Sequence, residues 1–418
     1  MKRFASRDSS YLPSSYLNMK PSLPSLPPPP ILPSGEVASP SCMECLFPRG
    51  MIEHETTLER LVEIPSEVRT AYSLFRPTPL VRAVGLEREL DTPARIYYKY
   101  EGAGPAGSHK SNTALAQAFL AREGGISRIC TETGAGQWGS ALSQACLQFG
   151  SSLEVFMVRA SYLQKPLRRI FMEMHGASVH ASPSSRTGAG RDYLASDSSH
   201  PGSLGIAISE AVEQVLCDPS CCYSLGSVLD SVCLHQSVIG QEALLQMEEM
   251  GDFPDKVVAC VGGGSNFAGI AFPFVASGAE VSFVAVEPSS CPTLTQGELR
   301  YDYGDSSGLT PRYMMYTLGC DFIPPPIHAG GLRYHGMSPL VSHLVSLGMV
   351  RAVAVPQDSV FSAAKLFLRC EGILPAPESA HAVSCVIESA LRAKESGTPS
   401  VILFCLSGHG LMDMAAFS

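Results

Sequence analysis

Lys110 is the side chain whose setting most clearly suggests chemistry. It stands in "EGAGPAGSHKSNTALAQAFLA" (101–121), where a glycine-rich loop runs into a small-residue helix. Three kinds of site use that layout: a phosphate-cradling P-loop, a dinucleotide-binding turn, and a lysine that holds a cofactor covalently. A P-loop needs its lysine directly after the second glycine. Here Ser108 and His109 intervene between Gly107 and Lys110, so the amine would not lie over a β/γ-phosphate. The pattern G-x-G-x-x-G occurs twice, at Gly102, Gly104 and Gly107 and at Gly134, Gly136 and Gly139. Neither copy opens a clean βαβ unit with an acidic residue about 20 positions on. Pro105 also removes an N–H that a pyrophosphate would use.

"VGGGSNFAG" is the better phosphate cradle. Gly262, Gly263 and Gly264 let bare backbone N–H groups converge on an anion, Ser265 and Asn266 add side-chain donors, and a helix N-terminus adds its positive end. Phe267 occupies the place of a third glycine, which favours a single phosphate over a dinucleotide. A separate anion-binding loop is read at Thr133, Gly134, Ala135, Gly136 and Gln137. One lysine, one cradle and a second anion loop suit pyridoxal phosphate: a Schiff-base amine, a seat for the 5′-phosphate and a seat for an amino-acid carboxylate.

These loops need strands and helices to hold them. Strands are predicted at 94–100, 128–133, 153–159, 256–261, 281–287 and 400–407, each a short apolar or β-branched run bounded by turn residues. Helices are predicted between them, in "TALAQAFLAREGG", "GSALSQACLQFG", "LQKPLRRIFMEMHG", "QSVIGQEALLQMEEMG" and "SAAKLFLRCEG". "TTLERLVEIPSEVRTAYSLF" predicts short helical pieces broken at Pro65. The alternation implies an α/β protein with parallel sheets covered on both faces, and ligands at loops leaving the C-terminal strand ends.

The rest of the composition excludes several classes. Charged residues are 17% of 418, the net charge is -9, and no Lys/Arg cluster suggests nucleic acid. No apolar run reaches the roughly 18 residues of a membrane span. The first 20 residues lack the apolar region of a secretory signal and predict a frayed terminus. The stretch 20–40, with four consecutive prolines, predicts a linker or arm. Fourteen scattered cysteines predict a reduced, cytoplasmic protein. "CMEC" and "CDPSCC" are read as isolated thiols, with no metal site expected.

The motifs "GSHKSNTALAQA", "TETGAGQWGSAL", "HPGSLGIAISEA", "CVGGGSNFAG", "YTLGCDF", "EGILPAPESAHA" and "LFCLSGHG" resemble the tryptophan synthase β chain. "AVEPSSCPTLTQGE" and "PPPIHAGGLRYHG" resemble its long, divergent (type 2) branch. The resemblance runs from about residue 16 to the C-terminus. It implies fold type II of the pyridoxal-phosphate enzymes, two three-layer α/β lobes with the cofactor between them. The implied division is an arm at 1–50, an N-terminal lobe from 51–75 and 105–225 with a mobile substrate-closing part, and a C-terminal lobe from 76–104 and 226–418. By resemblance, Lys110 is the Schiff-base lysine, His109 lies beside the phosphate, and Gly262 to Asn266 hold that phosphate. Glu132 resembles the catalytic carboxylate, and Thr133 to Gln137 the loop for the substrate carboxylate. Asp321 resembles the aspartate that closes over the substrate hydroxyl, Glu371 the acidic residue near the pyridine ring, and Ser407 the partner of the pyridine nitrogen.

The implied reaction condenses indole with L-serine to give L-tryptophan and water. A homodimer and a monovalent cation are implied as well; an α chain is not assumed. Trp138 replaces the histidine of the common β chain beside the carboxylate loop. Arg333 is read as meeting a substrate anion, such as a phosphorylated serine, or as one half of a structural ion pair. Alternatives stay open: a serine β-eliminase or deaminase, β-replacement with another nucleophile or with O-phosphoserine, and more distantly a nucleotide-dependent oxidoreductase.

Overall fold

The computed structural model describes residues 2–417. Two parallel sheets organise it. The smaller has four strands in the order Ser178–Ser182, Ser152–Val158, Arg128–Thr133, Cys221–Ser224, all parallel. Alternation along these strands sends side chains to opposite faces. Ile129, Val155 and Met157 pack with apolar residues of helices Ser111–Glu123 and Gln137–Phe149. Cys130, Phe156 and Val158 pack on the other face, with Ala207, Ala211 and Val212 of helix Leu204–Leu216.

The larger sheet has six strands in the order Val350–Val355, Ser282–Pro288, Lys256–Cys260, Val401–Leu406, Arg95–Tyr100, Leu80–Arg82. Only the last pair is antiparallel. Val257, Ala259 and Leu403 face helices Val238–Met250 and Ser265–Ala276, while Val258, Ile402 and Phe404 face helices Gln357–Glu371 and Pro377–Ser396. Near-continuous apolar strands are what two covered faces require. The loops leaving Thr133, Cys260, Leu406 and Tyr100 meet in the space between the sheets.

Several elements differ from the sequence expectation. "LQKPLRRIFMEMHG" spans the end of one helix, Arg159–Gln164, and the whole of a second, Pro166–Met174, because Lys165 before the proline leaves the helical region at φ -125, ψ 60. Leu61–Glu63 is a strand rather than a helical piece. Strands Ser178–Ser182, Cys221–Ser224 and Val350–Val355 and the hairpin Glu298–Tyr303 with Arg312–Thr317 have no counterpart among the predicted elements.

The N-terminal region is neither frayed nor a free linker. Ser15–Leu17 pairs with Leu61–Glu63, Phe4 bridges Val81, and Arg7 donates to the carbonyls of Phe75 and Pro77. Tyr16 and Met19 are buried. Burying such side chains stabilises by about 1.5–3 kcal/mol each, enough to dock a chain that proline has already stiffened. No described helix is long and apolar enough to cross a membrane.

Behind the site lies a buried charge cluster. Arg76 donates to Glu242 at 2.8 Å, to Glu101 at 2.9 Å and to Asn112 Oδ1 at 2.7 Å. Lys99 Nζ donates to Glu242, Gln246 and the Thr78 carbonyl at 2.7–2.8 Å.

Candidate active site

Strand Lys256–Cys260 ends in the glycine turn, and helix Ser265–Ala276 begins immediately after it. Gly264 holds φ +100, a conformation that disfavours any side chain. A Cβ on Gly263 would lie 2.6 Å from Ser227 Oγ, and one on Gly262 would lie 2.5 Å from the Gly331 carbonyl oxygen. Close packing on these neighbours therefore requires glycine, and the turn borders a polar hollow lined also by Ser108, His109, Lys110, Glu378 and Ser407. His109 Nε2 lies 3.3 Å from Ser265 Oγ, and burial lowers its imidazole to about 3, so it is neutral. Ser108 Oγ and Asn266 Oδ1 are buried without a partner among the described residues.

Lys110 is the N-cap of helix Ser111–Glu123. Its one hydrogen bond among the described residues is a long 3.4 Å contact to the Gly226 carbonyl. Burial lowers its amine to about 8. A partly buried, weakly held amine of that basicity is close to a nucleophile or base at neutral pH.

The second loop follows strand Arg128–Thr133. Gly136, at φ +93, caps helix Gln137–Phe149 and rests against the Arg168 side chain, so it supports the loop from behind. Thr133, Gly134, Ala135, Gln137 and Trp138 line a second hollow together with Lys110, Glu132, Ser227 and Tyr334. The helix N-terminus offers its N–H groups to an anion there. Glu132 is almost fully buried, and burial raises its carboxyl to about 7, with the Tyr223 hydroxyl and Lys110 pulling the other way. The two hollows share Lys110, Gln137, Ser227, Gly263 and Gly331.

Ser407 follows strand Val401–Leu406 directly, 2.7 Å from Ser379 Oγ. Trp138 Nε1 donates to Thr131 Oγ1 at 2.8 Å, and its ring packs on Gly226, where a Cβ would lie 2.3 Å away. Arg333 is buried, makes no ion pair among the described residues, and donates only to the Pro324 carbonyl at 3.3 Å. Its Nε has no partner among the described residues. It lines a small cleft with Gly134, Ser161 and Ser203.

Two expected residues are elsewhere. Glu371 ends helix Gln357–Glu371 and accepts from the Leu86 N–H at 2.9 Å and from Arg3 at 3.0 Å, outside both hollows. The acidic residue at the site is Glu378, which accepts from the Gly331 N–H at 2.8 Å and from Gln137 Nε2 at 2.9 Å. "EGILPAPESAHA" contains both glutamates. The signal that separates them is Pro377, which opens a helix with Glu378 in its first turn, whereas Glu371 precedes a helix-ending glycine. Asp321 is exposed and lines neither hollow. Sequence reasoning also missed Tyr223, Ser227 and Ser379: the first two stand in no motif with a chemical spacing of its own, and Ser379 lies in "EGILPAPESAHA" beside Glu378 without a signal that it reaches Ser407.

The residues present fit pyridoxal phosphate. The glycine turn accommodates a phosphate, the unpartnered buried atoms await a polar ligand, Lys110 is free to bond, and Ser407 and Glu378 give the same hollow two polar walls. A family model described as pyridoxal-phosphate dependent enzyme matches residues 72–408. The chain is 53% identical over 410 residues to "Tryptophan synthase beta chain 2" of Thermotoga maritima, covering 97% of each chain. It is 54% identical over 414 residues to the protein of the same description from Aeropyrum pernix, covering 97% of this chain and 92% of that one. Among solved structures, a bacterial threonine deaminase superposes with a TM-score of 0.59 at 20% identity, covering 82% of this chain and 97% of that one, which shows the shared type II fold. Near-full-length identity at this level, joined to the site geometry, places the chain in the tryptophan synthase β chain family of pyridoxal-phosphate-dependent enzymes.

Proposed function

We propose that the protein joins indole to L-serine by β-replacement, giving L-tryptophan and water. The observation that carries this reading is the pairing of a free amine, Lys110, with a buried carboxyl, Glu132, across one hollow. Pyridoxal phosphate, when bound, supplies the electron sink that makes the α-proton of the amino acid removable. Gly262 to Asn266 and His109 would hold its phosphate, Lys110 would bond it, and Ser407 and Glu378, which line the same hollow, would be its polar neighbours. A neutral hydroxyl such as Ser407 does not force protonation of a ring nitrogen as an aspartate would, which favours β-chemistry over transamination.

The protein's own groups then divide the work. Thr133 to Gln137 seat the substrate carboxylate. Lys110 would take the α-proton and, once indole has added at the β-carbon, return a proton to the α-carbon. Glu132 delivers a proton to the departing β-oxygen and afterwards receives the proton that indole loses, so the carboxyl returns to its starting state. An eliminase needs only the first of these transfers. Asp321 is proposed to reach the serine hydroxyl when the lobe carrying the substrate closes. Burial of the hollow keeps water from competing with indole.

A second donor, O-phospho-L-serine, is favoured by one observation: the buried guanidinium of Arg333 has no acidic partner among the described residues and lies beside Gly134. A homodimer and a cytoplasmic location follow from the family reading, and light scattering tests the first. The direct experiment supplies the loaded protein with indole and either L-serine or O-phospho-L-serine and measures tryptophan by chromatography. Tryptophan formation supports the reading and the better donor decides the second point. Pyruvate without tryptophan would move the enzyme to the eliminases.

A further inference from the structure

The hydrogen-bond partner of Glu132 is supplied by strand Cys221–Ser224, a segment with no catalytic motif of its own. In the parallel register Tyr223 stands opposite Cys130 and Ser224 opposite Thr131. Because side chains alternate, Tyr223 shares a face with Cys130 and Glu132. Its hydroxyl donates to Glu132 Oε2, and no other side chain donates to that carboxyl among the described residues. Both side chains are almost fully buried. The Tyr223 ring is held against Phe47, with centroids 5.7 Å apart. The strand pair is pinned as well, since Trp138 donates to Thr131 Oγ1, and Thr131 in turn donates to the Ser224 carbonyl.

The geometry points to Tyr223 as the positioning residue of the proton-transfer carboxyl, fixing the direction of Glu132 and keeping it usable as a base as well as an acid. This inference rests on the reading of Glu132 as the acid and base of β-replacement. Its physical basis is an opposition between two forces. Burial favours the neutral carboxylic acid, which can give a proton but not take one. A donated hydrogen bond favours the carboxylate. The balance leaves Glu132 near 7. Tyr223 itself is no proton carrier, because burial and then the Glu132 charge push its own hydroxyl far above the ordinary value. The other groups that bear on Glu132 are Lys110 from the opposite wall, Tyr334 from the loop above, and Cys130 on the same strand; Asp305 bears on the two tyrosines. None of these donates a hydrogen bond to the carboxyl.

The test compares holoenzyme of the parent, Tyr223→Phe and Glu132→Gln. Two quantities are read: the pH profile of kcat/KM for indole, and the carboxylic C=O stretch of Glu132 followed by infrared titration and assigned by its loss in Glu132→Gln. In Tyr223→Phe the acid limb is expected to move upward by on the order of one pH unit, a loss of about tenfold at pH values below the limb that recovers above it. The C=O band should persist to correspondingly higher pH. The KM for L-serine should stay within about twofold. An acid limb and band unmoved in Tyr223→Phe, with both absent in Glu132→Gln, would overturn the role of Tyr223 and leave that of Glu132 standing. A uniform loss at every pH would likewise reduce Tyr223 to packing. If Glu132→Gln keeps the parent profile, the Glu132 reading fails and the inference fails with it. The infrared titration decides the point even where Tyr223→Phe turns over too slowly to profile.

Discussion

Two lysines, eleven positions apart, one fully buried and one partly buried, show what separates structure from chemistry in this molecule. Lys99 has three partners at 2.7–2.8 Å, and the cluster around it satisfies Arg76, Glu101 and Glu242 several times over. Lys110 has one partner at 3.4 Å. Burial disfavours the charge on both. The first is saturated and serves to hold the 76–101 segment against helix Val238–Met250. The second is left under-partnered, which costs stability and gives an amine ready for a ligand. Saturation of the donor set distinguishes the two regions: three close partners for Lys99, one long one for Lys110.

The sharpest way to break that contrast is Lys110→Met. Tryptophan formation should fall roughly 10⁴-fold or more, while the melting temperature of the cofactor-free protein stays level or rises, since a partly buried, under-partnered amine is removed. A drop in melting temperature would place Lys110 with Lys99 among the structural groups. Next, Glu132→Gln should cost roughly 10²–10⁴-fold in kcat, with calorimetry showing the fold intact. Arg76→Met should behave oppositely. It leaves the buried Glu101 without its ion pair and Glu242 with Lys99 alone, and should lower stability by about 3–5 kcal/mol in a denaturant titration. The loss should be smaller if Glu242→Gln is made in the same chain.

A pH series sharpens the comparison further. The Glu132 carboxyl is raised from 4.5 to about 7, so between those values the folded state binds the proton that the unfolded chain has lost. Its contribution to stability is full below about pH 4.5 and disappears as the pH rises through 7, by on the order of 3 kcal/mol in cofactor-free protein. Glu132→Gln should flatten that decline. The smallest effect is expected at Ser379, whose hydroxyl holds Ser407 at 2.7 Å. Ser379→Ala should cost about 1 kcal/mol and weaken pyridoxal phosphate binding several-fold, measured by equilibrium dialysis.

How much of this was legible in the sequence depends on how local the cause was. Arg128–Thr133 is a strand over the expected span, because β-branched and apolar residues between a turn and a glycine loop suffice to specify it. The Lys110 loop and the glycine cradle were legible for the same reason. Ser178–Ser182 was not, since its pattern "SVHAS" is mostly polar and becomes a strand by pairing along Ser152–Val158. Docking of the N-terminal arm was hidden because prolines dominate the pattern, while Tyr16 and Met19 supply the burial. Glu378 was confused with Glu371 because two glutamates seven residues apart differ only in which end of a helix each occupies. Tyr223 had no local mark at all. Its partner is 91 residues away and is chosen by strand register.

The order of strands in the larger sheet also governs how the chain can be made. Arg95–Tyr100 lies between Leu80–Arg82 and Val401–Leu406. The smaller sheet has all its strands once residue 224 has left the ribosome, but the larger one stays split until the strand at 401–406 emerges. At roughly 5–20 residues per second, the early pair waits with an apolar edge open for on the order of half a minute. Nascent chains of this protein are therefore expected to engage holding chaperones late in synthesis, and a premature stop just before Val401 should yield aggregate rather than a partly active enzyme.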